Sequence, residues 1–307
     1  NDCSERICKA HTVSKSALSL IAENGHLYHF EINGFKEQKE IANGIPDDLK
    51  IRNLNLNNPS IYKLRSAFNL NPYVPPSFVG LNDASTFNGF CEKHDRELFS
   101  PLENKLFIDS DEQYFLLYYR AICRKLYSLY ASENMNKMEN IFVSKDFSRL
   151  QQRIANNLDI SDMVKVKEEM DNNILTNVFS SIRWISVETN IPPIIMTNEI
   201  FAPKFDCKSK KMKNMEIIEN NETNKALDWI VLSSFSYKGQ NRISLIWLED
   251  SNGTAEEFYK SFVCENEKVL ILQKFITAIF ASCENIYFSM SWWNTLPQQI
   301  KEYLCER

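Results

Sequence analysis

The chain has 307 residues, 44% hydrophobic and 24% charged, with a net charge of −5 and a pI near 5.6. That length supports a large core and one or two domains, and the acidic balance excludes a broad, non-specific nucleic-acid coat while leaving room for a local basic groove. No apolar run reaches the roughly 18–20 residues that cross a bilayer, and the longest candidate, KVLILQKFITAIF at 268–280, is interrupted by Gln273 and Lys274.

The eight cysteines, in a chain of this length with no secretion signal, do not read as a disulfide framework, so a cytoplasmic protein is expected. Cys123, Cys264 and Cys283 lie in apolar helical surroundings and are expected to be reduced core residues.

Residues 1–110 form a first region. All four histidines and five of the seven glycines lie there, with dense turn signals such as the NG pairs at 24, 33 and 43 and NPYVPPS at 71–77. Short strands and small helices are expected, with His26 and His29 on a strand or turn. A region with so little periodic apolar surface gains stability from a metal staple.

Residues 111–180 read as helical. DEQYFLLYYRAICRKLYSLYASE carries apolar residues at helical spacing, Ser110 is a candidate N-cap, and Asp111 and Glu112 suit the positive end of the helix dipole. Two more amphipathic stretches follow, at about 145–158 and 161–180.

Residues 181–307 turn to strands. IRWISVET, PIIMTNEIFAP, LDWIVLSSFS and RISLIWLE are rich in β-branched and aromatic residues, and YKGQN between the last two predicts a hairpin turn. A helix near 266–281, a strand NIYFSM and a short helix from about 296 complete the pattern. The expected fold is α+β: an N-terminal stapled unit, central helices, and a C-terminal antiparallel sheet with a helix packed on one face. Trp292 and Trp293 could stack on a base, but anchoring the final helix is the simpler role. KSKKMK at 208–213 is expected to be a solvated loop.

The chemistry concentrates in the first region. Cys91-x-x-His94 has the spacing of half a zinc site, preceded by a flexible Gly89 and followed by a helix-like EKHDRELF. Cys3 and Cys8, with His11 three residues on, supply the other half. These candidates exceed the required four by one, and the sequence does not assign them. Phosphate-binding loops and nucleophile elbows are absent, and Cys91 and His94 are too close in sequence for the usual nucleophile–base pair.

The layout CKAHTVSKSALSLIAENGH, a spacer of about sixty residues, then GFCEKHDRELFSPLE resembles HNH-type endonucleases of the treble-clef, or ββα-metal, class. It is also similar to a group of bacterial proteins sharing an AHT…GFCxxHD arrangement. The resemblance covers roughly residues 3–103 and its motifs are short.

The resemblance implies a metal-dependent endonuclease that cleaves phosphodiester bonds of DNA or RNA, in a setting such as bacterial phage defence. It places His11 as the general base, Asn82 as the residue orienting it, and Asp95 and Glu103 as acids near a catalytic Mg or Mn. Cys3, Cys8, Cys91 and His94 become the structural zinc ligands. Ala10 departs from the pattern, because an acidic residue usually precedes the histidine. The alternative is a non-catalytic, zinc-stabilised module that binds a protein partner, in which Asp95 only orients His94 through a hydrogen bond.

Overall fold

In the computed structural model, the described residues are 5–30, 75–105, 107–139, 147–189, 191–220, 222, 225–249, 251–263 and 268–305. Strands β1 (Ile7–His11) and β4 (Thr86–Cys91) pair with each other as a small antiparallel ribbon. Seven others form one antiparallel sheet: β2 (His26–His29), β3 (Ser77–Gly80), β5 (Ile182–Glu188), β6 (Ile195–Phe201), β7 (Ile230–Tyr237), β8 (Gln240–Leu248) and β9 (Ile286–Phe288). Their spatial order is β3-β2-β9-β6-β7-β8-β5. The first 110 residues therefore share a sheet with the last 130 or so, because β2 pairs with β9 through Tyr28 opposite Phe288. The YKGQN turn is as expected: Lys238 and Gly239 have φ of 50° and 79°, the two positive values a type I′ turn requires.

Short helices α1 (Lys15–Ser19), α2 (Glu92–Leu98) and α3 (Ser100–Glu103) sit in the N-terminal third. Then come two long helices, α4 (Asp111–Glu139) and α5 (Phe147–Thr176), and a short α6 (Lys213–Glu219). The expected pair of stretches at 145–158 and 161–180 is thus one continuous helix. Ser110 does cap α4, its Oγ accepting the Gln113 N–H at 3.3 Å. Helices α7 (Thr254–Val263), α8 (Lys268–Ser282), α9 (Met290–Thr295) and α10 (Gln298–Cys305) close the chain.

The sheet is covered on both faces, which corrects the expectation of helix on one face only. Strand alternation explains it. Ile230, Leu232, Leu245 and Trp247 point to one side, packing with Phe258, Phe262, Phe275, Ile279 and Trp293 of α7–α9. Val231, Ile246 and Ile200 point to the other, against Phe115, Tyr118 and Ile122 of α4. Trp293 is buried in the first of these cores beside Phe280 and Phe288, the anchoring role expected for it. The KSKKMK lysines lie on the surface, where Lys210 pairs with Glu257 and Lys211 with Glu219. No helix is long and apolar enough to cross a membrane among the described residues.

Candidate functional site

The ribbon β1–β4 runs directly into α2, forming a ββα unit. Ile7 lies opposite Cys91 and His11 opposite Thr86. Between these ends the partners step from Cys8↔Phe90 to Ala10↔Phe87, so β4 carries one extra residue, a bulge. Gly89 sits in it. A Cβ there would come within 2.7 Å of Phe87 Cδ2 and closer still to Cε2, on a ring buried in the core beneath α4.

Cys91 caps α2. Its Sγ accepts the His94 N–H at 3.4 Å and lies 3.3 Å from His94 Nδ1. Such a donor pair suits two corners of a tetrahedral zinc. Cys8 is near enough that, after burial, Asp95 and then Cys91 raise its thiol pKa. Cys3 lies outside the described residues, and among those described no group of three or more His, Cys, Asp or Glu converges as a metal site. Of the residues expected as zinc ligands, the structure brings Cys91 and His94 into contact.

His11 stands at the other end of the ribbon. Three residues lie between it and Ile7, the partner of Cys91. The ring is half-buried, and Nε2 is buried with no hydrogen-bond partner. Burial pushes its pKa below the ordinary 6.5, Arg120 and Lys15 push the same way, and Glu103 and a hydrogen bond with the Leu81 backbone oppose them. Asn82, expected to orient His11 from this turn, is exposed; Leu81, one residue earlier, acts on the ring instead.

Arg120 was not among the residues expected to matter. It lies on α4 with a side chain 1% exposed, its Nη2 donating to Glu103 Oε1 at 2.7 Å and lying 3.6 Å from Asp95 Oδ1. Its guanidinium carbon is 3.9 Å from the centroid of the buried Phe99 ring. A lone charge inside the apolar run YFLLYYRAIC was the one available signal. Pro101 lies in the first turn of α3, and α3 carries Glu103 to the guanidinium.

Two carboxylates sharing one guanidinium present one net negative charge rather than two. Burial raises the pKa of Asp95, with Glu103 adding to it and Arg120 opposing. A divalent ion at these acids would meet the one net negative charge that remains, with the guanidinium as a close neighbour. Asp95 Oδ1, which only the ion pair with Arg120 reaches, Arg120 Nε and His11 Nε2 are buried with no hydrogen-bond partner.

The strand end that carries His11 is fixed from far away in sequence. Ser85, in a left-handed conformation at φ 60°, accepts the Thr12 N–H at its carbonyl (2.8 Å) and the Val13 N–H at its Oγ (2.9 Å). Its own N–H donates to Tyr287 Oη at 2.6 Å, and its hydroxyl donates to Asn285 Oδ1 at 3.0 Å. Asn285 in turn donates its N–H to Glu199 Oε2, which also accepts from Arg124, one helical turn beyond Arg120. The basic residues near the unit are exposed: Lys15, Lys93 and Arg96 on its surface, and Lys9 paired with Asp83 at 2.6 Å.

No family model matches the chain, and no curated protein or solved structure matches it either.

Proposed function

We propose that the ββα unit is the hydrolytic centre of a nuclease, cleaving phosphodiester bonds of nucleic acid with His11 as general base. One observation carries this reading: a half-buried imidazole whose Nε2 is buried without a partner, on a ring that its surroundings hold neutral at pH 7. An unpaired buried polar atom costs about 1–3 kcal/mol. That cost makes sense where the nitrogen has a proton to accept. In this reading His11 Nε2 takes the proton of the attacking hydroxyl, Leu81 holds the ring, and the exposed Lys15, Lys93 and Arg96 attract the phosphate backbone. The setting in phage defence rests on the resemblance alone.

A second reading has its own observation. Arg120 offsets half the charge of the two acids, as it would in a purely structural core. A zinc held by Cys91 and His94, with Cys8 and Cys3 completing the set, would then staple a module that binds a protein partner, and zinc would contribute folding energy there.

Cleavage of supercoiled plasmid and of a long RNA by the wild-type protein and by His11→Ala separates the two readings. The nuclease reading expects cleavage by the wild type and loss of roughly 100-fold or more in a variant that keeps its circular dichroism spectrum. No cleavage of either polymer, with or without magnesium or manganese, leaves the module reading standing.

A further inference from the structure

We infer that strand β5, at one end of the main sheet, is a docking edge for the β5 of a second copy of this chain, the two strands pairing antiparallel about a two-fold axis at Ser186. The pairing does not depend on what the ββα unit does.

An end strand presents a row of unpaired N–H and C=O groups, and proteins blunt such edges with short strands, prolines, bulges or charges. The two ends of this sheet differ. β3 is four residues long and follows Pro75 and Pro76. β5 is seven residues long, has no proline or glycine, and keeps an unbroken register with β8 from Ile182↔Leu248 to Glu188↔Arg242, so no bulge bends it away. Its two charged residues are neutralised within the chain: Arg183 pairs with Glu249, just past the end of β8, and Glu188 accepts from Arg242 Nη2 at 3.1 Å. Between them lie Trp184, Ile185, Ser186 and Val187, each partly exposed.

Ladder geometry fixes which backbone groups face outward, because alternate residues of an antiparallel strand bond to a given neighbour. The Thr189 N–H donates to the Asn241 carbonyl at 2.9 Å and the Glu249 N–H to the Ser181 carbonyl at 2.9 Å, so the odd-numbered residues of β5 bond to β8. The N–H and C=O of Trp184, Ser186 and Glu188 therefore point away from the sheet. None of these groups has a hydrogen-bond partner among the described residues.

That pattern is complementary to itself. The three outward residues are centred on Ser186, and a two-fold axis there sets Ser186 opposite Ser186 and Trp184 opposite Glu188 of the second copy. Each such pair can exchange both of its N–H···O bonds, so every outward group finds a partner. The same register sets Ile185 opposite Val187 of the second copy, at the closely spaced positions between the bonded pairs. Both side chains lean on the core under α7 and α8, so two β-branched pairs carry that apolar face across the join. An axis at Ile185 is disfavoured: it would set Arg183 against Val187 and would need the backbone of Ile182, which is only 4% exposed.

The test takes the full chain from micromolar to millimolar concentration, measuring its mass by analytical ultracentrifugation and its amide hydrogen exchange residue by residue. The expected result is a reversible monomer–dimer equilibrium. As dimer forms, the amides of Trp184, Ser186 and Glu188 exchange about tenfold more slowly or less, while those of Ile185 and Val187, bonded to β8, stay slow throughout. Val187→Lys, in protein whose circular dichroism is unchanged, should weaken association by about tenfold or more. A monomer at every concentration overturns the inference: free exchange at the three amides then means an edge that does not self-pair, and protection means that another segment of the chain covers it. A dimer whose three amides exchange as fast as in the monomer also overturns it, because the contact then lies elsewhere.

Discussion

Arg120→Ala is the substitution from which the structure permits the most definite expectation. The guanidinium is 1% exposed, while the carboxylates it serves are 31% exposed for Glu103 and 20% for Asp95. Deleting it leaves two partly buried negative charges facing each other and removes the cover over Phe99. Breaking a buried pair by removing one partner costs about 3–5 kcal/mol, and the lost packing of the arginine stem falls within that range. At roughly 2–3 °C per kcal/mol for a chain of this size, the melting temperature should fall by about 6–15 °C.

Arg120→Met keeps the stem over Phe99 and should recover part of the loss. Glu103→Gln, at a position open to water on one side, should cost about 1 kcal/mol. Urea unfolding followed by circular dichroism gives all three values. A loss below 1 kcal/mol for Arg120→Ala would mean that the guanidinium does not hold α2 and α3 onto α4, and the account of the centre would lose its organising charge.

Gly89→Ala should destabilise by about 1–3 kcal/mol, because its methyl group has to displace the buried Phe87 ring, and a urea midpoint unchanged from wild type would contradict the bulge geometry. Tyr287→Phe strips the acceptor from the Ser85 N–H, inside a network buried between sheet and ribbon; about 1–3 kcal/mol should be lost, and the amide hydrogens of Thr12 and Val13 should exchange faster. His11 carries a pH signature: its folded pKa lies below the unfolded 6.5, so the unfolded chain binds the extra proton as pH falls through that window. Its contribution to stability is therefore present above 6.5 and lost on acidification. The drop in urea midpoint between pH 7.5 and 5.5 should be smaller in His11→Gln than in wild type, and equal drops would refute it.

Periodic surface made much of the fold legible in the sequence. The strands from Ile182 to Leu248, the hairpin at Lys238-Gly239 and the long helix after Ser110 all follow from local pattern. What pattern could not reveal was long-range pairing. Nothing in HLYH says that it joins β9, some 260 residues away, so short strands were expected before residue 110 but not their place in the main sheet.

At the centre, the spacing of Cys91 and His94 and the helix that begins with them were readable, because both are local. Glu103 and Asp95 were picked out as acids, but their common partner was not, since Arg120 comes from another helix. The Ser85–Asn285–Tyr287 knot that fixes the end of β1 spans about 200 residues and left no sequence signal. The turn signals at 33–34, 43–44 and most of those at 71–77 lie outside the described residues.

The central claim is that His11 Nε2 accepts a proton in phosphodiester cleavage. Its most direct measurement is the single-turnover cleavage rate of RNA by wild type and by folded His11→Ala across pH 4.5 to 8. The account predicts a wild-type rate that rises with pH to a plateau, with its midpoint below pH 6.5 as the imidazole becomes neutral, and a variant slower by roughly 100-fold or more with no such limb. A variant that cleaves as fast as wild type, with the same pH profile, would contradict it.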